Sequence, residues 1–483
     1  MKPLIYQLLP RLWGRGKFSS LDAGSLAYIK GLGVHYVWYT GLLRHATRWG
    51  RRPEKVVKGE AGSPYAITDY YDVNPYLAER PSARMEEFLQ LVERTHAAGL
   101  KVLMDFVPNH VAREYSGAAT PKGERPLGAD DRPTEHWLPE NDFFYYPGQP
   151  LSLPVPCHGY EEMPARASGN AFTPAPGIND WYETVKLNYC DWRTPTWDKM
   201  LSIVRFWAAK GVDGFRCDMV ELVPPQFMQW LIVSVKREFP EVVFIAEVYE
   251  KDKYPLYVNE VGFDWLYDKS GLYDTLRAVS CSGASARGIS WNWQFLGSLQ
   301  PHMLNFLENH DEQRVASDFF CGSAAGGYAA LAVSLLLNTA PFMLYFGQEA
   351  GERGMQAEGF SGLDGRTSIF DWCTVPALEH PDPAVLARYR TLLALSQEKA
   401  FAEGETYDLC YCQDGVFDPD RHFAWLRSDG RHCWLLAANF GPTAAELSLR
   451  IPPEALTHLG LKAVRTVYTL SVPARDYAIL PVE

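Results

Sequence analysis

Four apolar runs in this chain each end on an acid or an imidazole. They are Met104-Asp105-Phe106-Val107-Pro108-Asn109-His110, Gly214-Phe215-Arg216-Cys217-Asp218, Phe244-Ile245-Ala246-Glu247 and Phe306-Leu307-Glu308-Asn309-His310-Asp311. Short runs of this kind read as buried strands. Polar side chains at the carboxyl ends of several parallel strands are how a (β/α)8 barrel assembles a site. Alternation along the chain supports that fold, with strands expected at Leu4–Leu9, His35–Tyr39, Lys101–Phe106, Val212–Arg216, Val242–Glu247, Phe263–Tyr267, Met303–Leu307 and Phe342–Phe346. Helical periodicity falls between most of them: Leu21–Gly31, Met85–Ala98, Trp197–Lys210, Pro225–Phe239, Ala324–Asn338 and Pro383–Glu398.

Two segments break the alternation. Residues 107–195 are rich in Pro, Gly, Asn and aromatics, and are too long for an ordinary connection. They predict a subdomain inserted after the third strand, dividing the catalytic barrel into residues 1–106 and 196–400. From residue 401 onward, short alternating segments separated by Asp-Gly and Asp-Pro turns predict an antiparallel β-sandwich over 401–483. The fold class is therefore α/β, a TIM barrel with an insertion and a carboxyl-terminal β-sandwich.

A net charge of -12 argues against nucleic acid or an anionic membrane as partner, and no apolar stretch is long enough to span a bilayer. The 15 Trp and 26 Tyr supply flat amphipathic rings of the kind that stack on sugars. Nine irregularly spaced cysteines favour reduced thiols, and with no hydrophobic leader after Met1 they predict a cytoplasmic protein. A trimmed exported protein would read the same way.

The acids suit cleavage of an acetal with retention, which needs two carboxyl groups about 5–5.5 Å apart. Asp218 is the candidate nucleophile: Arg216, two residues earlier, faces the same side, and a fixed guanidinium favours an ionised carboxylate. Glu247, among apolar neighbours, is the candidate proton donor. Asp311 is the third acid, and His110 and His310 are placed to donate to sugar hydroxyls. Taken singly, each has a plainer reading: a strand-end Asp as a helix cap, Arg216 with Asp218 as a structural ion pair, Asn309–Asp311 as a loop cap. Their joint occurrence in one order, each at a strand end, favours the site. A metal-hydrolase reading lacks the additional His ligands it needs.

At these motifs the sequence resembles the alpha-amylase family, glycoside hydrolase family 13, over nearly the whole chain. The resemblance implies Asp218 as nucleophile, Glu247 as acid/base and Asp311 as transition-state stabiliser, with Arg216 orienting the nucleophile and His110 and His310 holding the sugar. It further implies a ring-stacking role for Tyr65, a supporting role for Asp105, and Arg314 as a buttress of Asp311; Gly347-Gln348-Glu349 is similar to the motif that ends the eighth strand. Two departures stand out. Glu221 and Leu222 occupy places where many amylases carry Lys-His, and Lys186 stands where an Asp helps ligate calcium. Calcium near Asn109 is thus disfavoured by Lys186, and no cofactor or metal is expected. The implied activity is cleavage of α-1,4-glucosidic bonds in starch, glycogen or maltodextrins. A 4-α-glucanotransferase or other transglycosylase is the alternative, and an inactive glucan-binding scaffold is opposed by the presence of all three acids. Endo against exo action and oligomeric state are not legible.

Overall fold

A computed structural model describes residues 1–190, 192–355, 359–360, 362–462 and 465–482. Eight parallel strands close a barrel: β1 (Leu4–Leu8), β2 (Tyr36–Tyr39), β3 (Lys101–Phe106), β4 (Gly214–Cys217), β5 (Val243–Ala246), β6 (Trp265–Tyr267), β7 (Met303–Phe306) and β8 (Phe342–Tyr345). The closed order is β1-β8-β7-β6-β5-β4-β3-β2, so each strand pairs with its neighbours in sequence and β8 returns to β1. Side chains along the strands are buried almost without exception, as expected when one face packs the barrel interior and the other the helices. Gly214 opens β4 because a side chain there would clash: an added Cβ would lie 2.6 Å from Leu103 and 2.4 Å from Val243 on the flanking strands.

Among the described residues the longer helices are α1 (Ala23–Lys30), α2 (Arg84–Ala97), α3 (Pro195–Ala208), α4 (Pro225–Lys236), α5 (Asp274–Cys281), α6 (Arg287–Leu296), α7 (Tyr328–Leu336) and α8 (Pro383–Leu395). In α2 the buried residues Phe88, Leu91, Val92 and Thr95 form one stripe at helical spacing. Helices α5 and α6, between β6 and β7, were not expected from the sequence. The described residues of segment 107–194 hold two short strand pairs, His110–Ala112 with Thr184–Lys186 and Tyr145–Tyr146 with Ala165–Arg166.

After α8 come β9 (Glu405–Asp408), β10 (His422–Ser428), β11 (Cys433–Asn439), β12 (Ala445–Arg450), β13 (Val467–Val472) and β14 (Asp476–Pro481). Strands β9-β10-β11-β14 form one antiparallel sheet and β12-β13 a second. Leu426 and Leu435 of the first pack with Leu447, Leu449 and Leu470 of the second in one shared core, the arrangement of a sandwich. Among the described residues no helix is long and apolar enough to cross a membrane.

Candidate active site

Register brings the acids together. On β4, Arg216 lies level with Asp105 on β3 and with Ile245 on β5. Its fully buried guanidinium places Nη1 2.5 Å from Asp218 Oδ1, Nη2 2.8 Å from Glu247 Oε2 and Nη1 3.8 Å from Asp105 Oδ1. The rings of Trp38, Tyr65 and Tyr267 stand 5.2–5.7 Å from it. Burial works against the charge of Arg216, but the surrounding acids, Glu247 foremost, more than offset this and raise its proton affinity.

Burial pushes the Asp218 carboxyl well above the ordinary carboxylate range; Arg216 pulls it back and Glu247 pushes it up again. Arg216 acts on Asp218 in the expected direction, favouring the ionised carboxylate, while desolvation opposes it and is the larger influence. Glu247 accepts from the Met219 backbone N–H (2.9 Å, to Oε2) and from the Tyr249 hydroxyl (2.9 Å, to Oε1). Met219 adopts φ +47°, a left-handed conformation costly for a side chain of this kind, and the turn it makes aims that N–H at Glu247.

Asp311 follows β7. Asn309 Oδ1 accepts from the backbone N–H groups of Asp311 and Glu312 (2.8 and 2.9 Å) and fixes the turn. Burial raises the Asp311 carboxyl, but His310, Arg216 and Arg366 together draw it down to about 2. Its side chain is 40% exposed, so this is the acid most open to the cleft. His310 Nε2 lies 3.0 Å from Asp311 Oδ2 and 2.5 Å from the Tyr65 hydroxyl. Gln7 donates to His310 Nδ1 (2.8 Å), which leaves the ring proton on Nε2, facing Asp311 and Tyr65. Asp105 accepts from Trp38 Nε1 (3.3 Å) and from the Tyr65 hydroxyl (3.4 Å), and burial raises its carboxyl. His110 packs at a tilt against Trp181, ring centres 5.2 Å apart; burial and then Lys186 lower it to about 3, so it is neutral at pH 7.

Asp218, Glu247, Asp311, Tyr65 and His110 all line one cavity of about 250 Å³. Arg216, Asp105 and His310 stand directly behind it. Arg314 does not join them. It pairs with Glu308 (2.9 Å) and donates to Phe346 O and Thr367 Oγ1 (2.9 and 2.8 Å), so it braces the base of the β7 loop rather than Asp311. The cation whose field reaches Asp311 from the β8 loop is Arg366.

Sequence reasoning passed over Gln7, Met219, Tyr249 and Arg366. Tyr249 carries a readable signal, since it lies two residues beyond Glu247 and so returns to the same side; the others act through a backbone N–H, an amide and a loop position that no pattern marks. At the place of the absent Lys-His, Glu221 accepts from the backbone N–H groups of Tyr249 and Glu250 (2.7 and 3.2 Å) and so shapes the loop that holds Tyr249. Lys186 Nζ donates to Asn109 Oδ1 and to Leu222 O (2.7 Å for the latter), tying the insertion to the turn after β4. Burial lowers Lys186 to about 7. Among the described residues no group of three or more His, Cys, Asp and Glu side chains is arranged to hold a metal ion.

The family model "Alpha amylase, catalytic domain" matches residues 23–253. Alpha-amylase 3 of Dictyoglomus thermophilum is 22% identical, covering 69% of this chain and 60% of that protein. The α-1,4-glucan:maltose-1-phosphate maltosyltransferase of Cereibacter sphaeroides is 25% identical, covering 57% of this chain and 42% of that protein. The matches thus span less than two thirds of these relatives' own length. The solved maltogenic alpha-amylase AmyB of Thermotoga neapolitana superposes with a TM-score of 0.67 at 21% identity, covering 99% of this chain and 96% of that one, a likeness of fold.

Proposed function

We propose that this chain, which matches the alpha-amylase catalytic-domain model over residues 23–253, is a glycosidase of that family and cleaves α-1,4-glucosidic bonds of starch, glycogen or maltodextrins with retention. One observation carries the proposal: Asp218, Glu247 and Asp311, from three different strand ends, open on the same cavity, two of them held by one buried guanidinium. In the first displacement Asp218 attacks the anomeric carbon as the C1–O bond breaks, and Glu247 gives its proton to the departing oxygen. The glucosyl ester on Asp218 is then opened by water. Glu247 takes the water's proton, the hydroxyl oxygen bonds to C1, and Asp218 leaves as a carboxylate. Asp311, ionised at any working pH, faces the ring as it gains positive character, and the His310 proton on Nε2 is available to a sugar hydroxyl.

The double displacement requires Asp218 ionised and Glu247 protonated at its start.

Chromatography of the products from maltoheptaose tests the proposal. A net gain of reducing ends, with the first product in the α-anomer, is the expected result. Disproportionation into longer chains without that gain would instead assign a 4-α-glucanotransferase, the reading favoured by the likeness to a maltosyltransferase. No change in the substrate would overturn both.

We propose also that the family's calcium position is not used here. The donor set does not fit a hard cation, because Asn109 Oδ1 and Leu222 O are already taken by the Lys186 nitrogen. A chelator is expected to move the melting temperature by less than about 2 °C. Lys186→Met should lower it by roughly 2–5 °C, because it strands a buried acceptor on Asn109 and a part-buried one on Leu222, at up to about 1–3 kcal/mol each. A chelator effect larger than that of the substitution would sink the idea.

A further inference from the structure

The two ends of the cavity differ. In the closed strand order β5, which Glu247 directly follows, stands across the barrel from β1, and β1 is flanked by β2 and β8. The leaving chain must pass Glu247, since that acid protonates the departing oxygen, and the wall there holds Tyr249, 38% exposed. The retained glycosyl portion therefore extends toward the opposite side, under the loops that follow β2 and β8.

Those loops are joined to each other. The Ala61 N–H donates to Phe370 O at 2.8 Å. The approach is close enough that Gly59, at φ +65°, admits no side chain: an added Cβ would lie 2.3 Å from Phe370 O. The same β2 loop is clamped to the insertion after β3. Lys58 Nζ donates to Asp180 O (3.0 Å), pairs with Glu183 Oε2 (3.0 Å) and lies 4.8 Å from the centre of the Tyr182 ring. Both members of that ion pair are nearly buried, at 10% and 5% side-chain exposure. Buried pairs of this kind hold geometry more than they add stability. Lys58, Glu183 and Phe370 all line the cavity that contains the three acids.

Resting on the proposed function, we infer that this site is a pocket closed on its glycosyl side, entered only by the non-reducing end of a glucan, with Lys58 as the residue that fixes the closed end. The enzyme is then exo-acting: the bond it cleaves is counted from the chain end, and a chain whose end is enlarged is excluded.

Paired substrates test this. Maltoheptaose and maltoheptaose capped by a 4,6-O-ethylidene group on its non-reducing glucose differ only at that end. The expected result is a kcat/KM at least 100-fold lower for the capped chain, measured as total products by chromatography. Equal rates within about threefold would overturn the inference while leaving the proposed function standing, whereas no cleavage of either chain would count against the function itself. In the double variant Lys58→Met, Glu183→Gln, which leaves no unpaired buried charge, the capped-to-uncapped ratio is expected to rise at least tenfold. An unchanged ratio in a folded variant would remove Lys58 from the role.

Discussion

Asp218→Asn is expected to reduce turnover of maltooligosaccharides by roughly 10⁴-fold or more, equivalent to at least about 5 kcal/mol of lost transition-state stabilisation. The amide keeps the shape of the side chain and one acceptor for Arg216, but it cannot form the glycosyl ester on which both displacements depend. The fold should not suffer. Arg216 keeps Glu247 at 2.8 Å, and the substitution removes a carboxyl whose proton affinity burial has raised. The sign follows from linkage. A carboxyl with a raised native pKa contributes stability that is present below its unfolded pKa and lost as pH rises through the native one. The asparagine variant is therefore expected to be at least as stable as the parent at neutral pH, with any advantage growing as the pH is raised from 4 upward. Thermal unfolding followed across pH, together with turnover of maltoheptaose, checks both halves. Activity within tenfold of the parent would remove Asp218 from the nucleophile's place.

That stability cost is consistent with a site whose groups are arranged for chemistry rather than for the fold, and it bears on what the sequence made legible. The barrel was readable because its strands are continuous apolar runs, and each ended within a residue or two of its expected limit. The acids were readable because they stand at those ends, as do Arg216 and Asp105, level on adjacent strands. What escaped notice depends on tertiary context. Helices α5 and α6 lie in a segment where Gly271, Gly283, Gly288 and Gly297 interrupt the periodicity, and α5 has only two buried side chains, Leu276 and Val279. The family resemblance implied Arg314 as a buttress of Asp311, yet Glu308, two residues past the end of β7, is buried beside it and takes its charge; Glu308 is raised to about 7 even so. The ionisation of Asp218 could not be read from Arg216 alone, since burial and Glu247 decide it as much as the guanidinium does. The joining of the β2 loop to Phe370 rests on a backbone hydrogen bond and a glycine with a positive φ, neither of which leaves a pattern in the sequence.

Glu247→Gln separates the acid from the nucleophile. A glucosyl oxygen is a poor leaving group, so loss of the proton donor is expected to slow cleavage of maltooligosaccharides by about 10²–10⁴-fold, the usual worth of a positioned general acid. Fluoride needs no proton to depart, and the first displacement on α-maltosyl fluoride should therefore proceed in the variant at a rate within about tenfold of the parent. The second displacement then lacks its base, and the ester on Asp218 should accumulate. Azide, a nucleophile that requires no deprotonation, is expected to release it as the α-linked maltosyl azide, retention at C1 being the product of two inversions. The substituted amide has one carbonyl oxygen to accept from the Tyr249 hydroxyl or the Met219 N–H, the two donors that Glu247 now holds at 2.9 Å each. One of those contacts survives, the turn that follows Asp218 stays in place, and the effect reports chiefly on proton transfer. An equal loss on the fluoride and on the natural glucan, with no rescue by azide, would show that Glu247 positions its neighbours and does not donate the proton. Azide trapped as the β-anomer would mean that a single displacement operates, and that the two carboxyls on Arg216 are not the pair that shares the work.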